Sequence, residues 1–161
     1  MVDRRIMTMR VECVLSGTEL DKLTSDLRVI LLQPTIRTTI AFEKSGTALI
    51  DKRPALIARC TDVDDVITSV RFAREHDLLV SMRGGGHSAA GRAVCEKGLM
   101  IDLSPMKGIQ IDAKGRTARA EPGLRLGEFD GKTQSFGLAT TLGVASDTGI
   151  AASPLVAGMV G

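Results

Sequence analysis

From Lys52 onward, apolar and polar positions alternate at spacings that define elements. The run Leu56-Ile57-Ala58-Arg59, introduced by Pro54, has the length and character of a short buried strand. Val63, Val66, Ile67, Val70 and Ala73 then recur at three- and four-residue steps, which places them on one face of a helix. Thr61, with Asp64 three residues later, reads as the capping pair of that helix. Asp62, Asp64 and Asp65 suit the positive end of its dipole, and Arg71 and Arg74 suit the negative end. Leu78–Met82 follows as a second strand and completes a β-α-β unit. Leu99–Leu103 is a further strand. After it, Gly108–Ile111 and Arg116–Ala120 form the arms of a hairpin around Asp112-Ala113-Lys114-Gly115, with Gly115 expected to supply positive φ. Gly123–Phe136 has the pattern of an amphipathic helix built on Leu124, Leu126, Phe129 and Thr133, with Gly137 as its C-cap. Leu138–Val144 is strand-like and Ser146-Asp147-Thr148-Gly149 is a turn. Upstream the pattern is weaker: a helix at Thr18–Leu27, then Val29-Ile30-Leu31-Leu32 before Pro34 and a Thr-rich stretch that suit a strand and a loop.

Composition narrows the picture. A chain of 161 residues suits one domain or two small lobes, and 43% hydrophobic with 25% charged residues is globular rather than disordered. Four Phe with no Tyr and no Trp imply an aliphatic core and leave no aromatic platform for stacking nucleobases. A net charge of +2, with the basic residues dispersed, argues against nucleic acid as a partner. Cys13, Cys60 and Cys95 are odd in number, lie far apart and include no CxxC, so neither a metal site nor a disulfide framework is expected. Reduced, buried thiols are the simpler reading. The N-terminus lacks a signal-peptide core and no apolar run nears the ~20 residues that span a bilayer. The expected compartment is the cytoplasm, with no membrane partner.

Chemistry concentrates at Arg83-Gly84-Gly85-Gly86-His87-Ser88, which leaves the carboxyl end of the second strand, where open α/β sheets gather ligands. Three glycines free the loop of Cβ atoms, so its backbone can take positive φ, lie against a ligand and converge its N–H groups on an anion. A Walker loop is excluded because His87 stands where Lys is required, and a dinucleotide fingerprint lacks its helix directly after Ala89. Taken alone, the loop is equally compatible with a structural turn. His76 is expected to cap or solvate the end of the first helix, Asp102 to cap a strand and Asp147 to cap a turn. None of these three is assigned a catalytic role, and no catalytic residue is identified.

The motifs are more specific in combination. Arg53-Pro54-Ala55-Leu56-Ile57, Val70-Arg71-Phe72-Ala73-Arg74-Glu75-His76, the Arg83–Ser88 loop, Gly98-Leu99-Met100-Ile101-Asp102-Leu103-Ser104, Gly137-Leu138-Ala139-Thr140 and Ser146-Asp147-Thr148-Gly149-Ile150-Ala151 occur in that order. Across residues 52–151 they resemble the flavin domain of the berberine-bridge-enzyme-like oxidases, among the PCMH-type FAD-binding oxidoreductases typified by vanillyl-alcohol oxidase. The resemblance implies FAD as cofactor, with the backbone of residues 84–88 around its pyrophosphate. It implies His87 as the site of a single 8α-histidyl attachment, and Thr140, Ser146, Thr148, Gly149 and Ile150 on the second wall of the slot.

Some positions depart from the family pattern. Gly143-Val144-Ala145-Ser146 has no thiol where many members carry a second attachment through cysteine. The family's glycine-rich run aligns with Ala152-Ser153-Pro154-Leu155-Val156-Ala157-Gly158, where Pro154 removes a donor and Val156 and Ala157 add bulk. Residues 1–51 match poorly apart from Leu49-Ile50-Asp51, so they are set apart from a partial FAD-binding domain at 52–161. The expected fold is α+β, a βαβ lobe followed by a strand-rich lobe with FAD between them, C-terminally incomplete and without the substrate domain. An exposed apolar surface along Leu138–Val160 follows from that expectation. The implied activity is removal of hydride from an alcohol or amine-like substrate, with reoxidation by oxygen. A non-catalytic remnant that binds flavin weakly or not at all stays open as the alternative.

Overall fold

Strands β1 (Leu56–Arg59), β2 (Val80–Arg83) and β3 (Leu99–Asp102) form a three-stranded parallel sheet in a computed structural model that describes residues 52–88, 91–152 and 159–160. The strand order is β1-β3-β2, so β3 lies between the two strands of the β-α-β unit and pairs with both. Leu56, Ala58, Leu99 and Ile101 turn one face toward helix α1 (Val63–Glu75), where Phe72 and Ala73 meet them together with Cys60, Leu103 and Met106. Ile57 and Met100 turn to the other face, where Val94 covers them. Burial on both faces explains why β1 and β3 are continuous apolar runs, whereas β2, at the sheet edge, leaves Val80 and Met82 exposed and buries Ser81.

Helix α1 starts one residue later than its sequence pattern predicts. Asp62, not Thr61, is the N-cap, and its side chain accepts the Asp65 N–H at 3.0 Å. Asp65 in turn accepts the Thr61 N–H and hydroxyl, both at 2.8 Å. Drawing the Asp65 carboxylate inward rotates the buried stripe to Asp65, Ser69, Phe72 and Ala73. Of the five residues expected on one apolar face, only Val66 and Ala73 pack on the core, while Val63, Ile67 and Val70 are exposed. The helix ends in a Schellman turn: the Leu78 N–H donates to the Ala73 carbonyl at 2.8 Å and Asp77 takes φ 49°. His76 stacks obliquely on Phe72, with ring centroids 4.3 Å apart.

The hairpin forms as β4 (Ile109–Asp112) against β5 (Thr117–Ala120), antiparallel and in the expected register. Its positive φ falls on Arg116, at 51°, and not on Gly115. Gly115 is needed for a different reason: the Asp112 carboxylate accepts the N–H groups of Lys114 and Gly115 and occupies the space a Cβ would take. Helix α2 (Leu126–Gln134) is shorter than the expected Gly123–Phe136 and buries Leu126, Phe129 and Thr133. Gly137, at φ 66°, closes it with a second Schellman turn, in which the Leu138 N–H donates to the Thr133 carbonyl at 3.1 Å.

Of the strand-like run Leu138–Val144, only β6 (Ala139–Thr140) is strand, paired antiparallel with β7 (Met159–Val160). Residues 141–144 lack a strand partner among the described residues, and Val144 is fully exposed while Leu138 is buried. The readings for residues 1–51, including Cys13, Thr18–Leu27 and Leu49-Ile50-Asp51, and for Ser153–Gly158 lie outside the described residues.

Candidate functional site

The loop Arg83–Ser88 begins where β2 ends and is tied to the sheet by the Leu103 N–H, which donates to the Arg83 carbonyl at 2.7 Å. Its three glycines do three different things. A Cβ at Gly84 would sit 2.8 Å from the Pro122 carbonyl oxygen and 3.0 Å from the Ala151 methyl. A Cβ at Gly85 would collide with the Gly149 Cα and N, and a Cβ at Gly149 would collide with the same atoms of Gly85. Gly86 takes φ 83°, a conformation that side-chain-bearing residues avoid, and a Cβ there would touch the Arg83 guanidinium at 3.2 Å. Two glycines of the loop therefore serve its close packing against Pro122 and the Gly149–Ala151 segment.

That packing consumes none of the loop's donors. Among the described residues, no protein acceptor takes the N–H of Gly84, Gly85 or Gly86. At half-burial such donors are open to water or to a ligand's acceptor, and three in succession can converge on one anion. Ser88 holds the loop's far end: its carbonyl accepts the Gly91 N–H at 2.9 Å and its hydroxyl accepts the Arg92 N–H at 3.1 Å. His87 is half-buried between them, with Nε2 shielded from solvent.

The opposing wall is stapled to the start of α2. The Leu126 N–H donates to the Thr148 carbonyl, the Gly127 N–H to the Ser146 carbonyl and the Ile150 N–H to the Leu124 carbonyl, each at 2.8 Å. Gly149 bridges Arg125 in the same ladder. Gly127 permits this approach, since a Cβ there would stand 3.1 Å from that of Ser146. Glu128 anchors the helix start by accepting the Arg125 N–H at 2.8 Å and the Lys107 ammonium at 2.5 Å. Those two hydrogen bonds, the lysine's first, hold its carboxyl below the usual range.

The structure thus brings Gly84 and Gly85 directly against Gly149 and Ala151. Thr148 and Ile150 are half-buried in the same loop, Ser146 is exposed at its start, and Thr140 is half-buried on β6. The sequence marks Asp102 as a strand cap and Arg83 as the first residue of the loop, but not that Arg59 joins them. Asp102 accepts the Ser104 N–H at 3.1 Å, as a strand-end cap would, but it also pairs with Arg59 at 3.5 Å and Arg83 at 3.8 Å. The available signal was charge at the last position of each strand, Arg59, Arg83 and Asp102, which becomes visible only once the strand order is known.

The residues present fit a dinucleotide pyrophosphate: a loop without Cβ atoms, three N–H groups that take no acceptor among the described residues, and the Arg83 guanidinium beside Gly86. Comparison with known proteins gives the family. The family described as FAD binding domain matches residues 54–160. The (R)-6-hydroxynicotine oxidase of Paenarthrobacter nicotinovorans is 38% identical over 108 residues, 67% of this chain and 24% of that protein. Among solved structures, 6-hydroxy-D-nicotine oxidase from Arthrobacter nicotinovorans superposes with a TM-score of 0.70 at 33% identity, over 76% of this chain and 27% of that one. The BBE-like 1 protein of Physcomitrella patens superposes at 0.68 and 21% identity, over 81% and 29%, a likeness of fold. The chain spans about a quarter of the length of these relatives.

Proposed function

The chain belongs to the FAD-binding-domain family of FAD-linked oxidoreductases, and on that premise we propose that Arg83–Ser88 holds the FAD pyrophosphate and that His87 carries the flavin through a single covalent bond. The observation that supports this most is the set of N–H groups at Gly84, Gly85 and Gly86, which take no acceptor among the described residues and belong to the same loop as His87, whose Nε2 is shielded from solvent. Thr140, Ser146, Thr148, Gly149 and Ile150 line the other side of the slot. Bound FAD would supply an acceptor for hydride from an alcohol or amine-like substrate, with oxygen taking the electrons afterwards. The chain's own contribution is binding and orientation: backbone donors fix the phosphates, and the stapled 145–150 loop sets the distance to the opposite wall. His87 contributes an imidazole nitrogen, which is nucleophilic when neutral.

The test is direct. The chain is expressed, denatured in acid, and examined by intact mass and visible absorbance for retained flavin. Yellow denatured protein whose flavin is lost in His87→Ala is the expected result. Flavin that binds but washes out in acid refutes the covalent bond alone. Colourless protein that stays unbound with added FAD refutes the cofactor reading and leaves a non-catalytic module.

A further inference from the structure

The last residues of all three parallel strands carry charge, and the register places them side by side. Asp102 ends the central strand, opposite Arg59 on β1 and Arg83 on β2. It is 5% exposed, and its two oxygens divide between the neighbours, Oδ2 toward Arg59 Nε at 3.5 Å and Oδ1 toward Arg83 Nη1 at 3.8 Å. These separations exceed those of charge-assisted hydrogen bonds, so the attraction is Coulombic and orients the guanidinium without fixing each proton. The two arms are unequal. The Arg59 side chain is 44% exposed and reaches solvent, whereas that of Arg83 is 22% exposed and lies against Gly86. A continuous path therefore runs from a buried carboxylate, through one guanidinium, to the backbone of the glycine loop.

We infer that Asp102 is a positioning residue for the anion cradle: it holds the Arg83 guanidinium beneath Gly86, and so aims that charge at the phosphates. The inference rests on the cofactor reading above. Two effects compete, and they have opposite signs. A carboxylate near an anion site repels the anion, so removing it strengthens binding if only the summed field matters. A flexible arginine without its anchor swings toward water, so removing the carboxylate weakens binding if placement matters. The position of Gly86 decides for placement. Its missing Cβ lets the guanidinium stand close, since a Cβ there would be 3.2 Å from Arg83 Nε and Nη2, and a side chain released from that contact leaves the loop.

The test is FAD titration of the full chain, followed by flavin fluorescence at several ionic strengths, for the wild type, Asp102→Asn, Arg83→Met and the double variant. His87→Ala serves as the background, to keep binding reversible. Asp102→Asn is expected to weaken FAD binding about tenfold, as loss of one charge-assisted contact does, and to flatten its salt dependence. Arg83→Met is expected to do the same, and the double variant to add little beyond either. Arg59→Met, on the exposed arm, should leave FAD affinity unchanged. Unchanged or tighter binding in Asp102→Asn overturns the inference. So does a weakening that leaves the salt dependence as in the wild type, since that is the mark of a purely structural role. If Asp102→Asn does not fold, Arg83→Met decides alone, by the same two criteria. A wild type that binds no FAD at any salt fails the cofactor reading instead, and the inference falls with it.

Discussion

Gly85→Ala probes the meeting of the two loops most directly. The added methyl would fall closer than 3.0 Å to the Gly149 backbone, where real Cβ atoms are not found. Ordinary carbon contacts begin at about 3.5 Å, so the two backbones must part by at least about half an ångström. Neither side has a flexible chain end to yield, because both colliding partners are main chain. Overpacking of this kind costs about 1–3 kcal/mol of stability. The shift also pulls the N–H groups of residues 84–86 away from any anion they hold. Losing one such charge-assisted contact is worth about 1.5–3 kcal/mol, or roughly 10- to 100-fold in FAD affinity. A thermal melt reads the first quantity and fluorescence titration with FAD reads the second. Gly149→Ala should match Gly85→Ala, and the double variant should lose less than their sum, since one separation relieves both collisions. Gly85→Ala with wild-type melting and wild-type affinity would refute the apposition itself.

Two further outcomes follow from the same structure. Asp77 takes φ 49° at the end of α1 although it carries a side chain, so Asp77→Gly should stabilise the fold by about 0.5–1 kcal/mol, measured by urea unfolding. A loss instead would mean that the aspartate side chain has work of its own. Burial, chiefly, pushes the Cys60 thiol above its ordinary range, and the Asp65, Asp102 and Asp62 carboxylates add to this against a hydrogen bond with Ser69. The native thiol therefore holds its proton more tightly than the unfolded one. The linked stabilisation is complete below the ordinary thiol range and is lost as pH rises through the folded value. Cys60→Ala should reduce the alkaline fall in melting temperature, and iodoacetamide should leave Cys60 and Cys95 unlabelled until the chain unfolds.

β1 and β3 were legible because each is an apolar run bounded by proline, glycine or charge, and the hairpin because its arms alternate about a turn signal. The spatial order of the sheet was not legible: nothing in the local sequence of Leu99–Asp102 says that it enters between β1 and β2. The helix face was misjudged because apolar spacing weighs Val63, Ile67 and Val70 but cannot weigh the hydrogen bonds that turn Asp65 inward. The glycine loop was legible as a cradle. The use of Gly84 and Gly85 was not, because their partners, Pro122, Gly149 and Ala151, are remote in sequence and reveal themselves only as collisions. Arg116 shows the same limit at short range, where a bound carboxylate took the space that made Gly115 necessary and left the strained backbone angle to its neighbour.

The insertion of β3 between β1 and β2 also bears on when this domain can acquire its cofactor. A nascent chain that has emerged only as far as the glycine loop has two strands with no ladder between them, since each pairs with β3 and not with the other. The sheet closes when Leu99–Asp102 arrives, and the same event delivers the donor that tethers Arg83 and the carboxylate beside it. Such non-local pairing is slow compared with helix formation, so the helix waits on the strand. The platform for the loop should therefore appear in one step, when Leu99–Asp102 emerges, with the 145–150 wall completing it later, and a fragment ending before residue 99 should leave α1 and the loop without a platform.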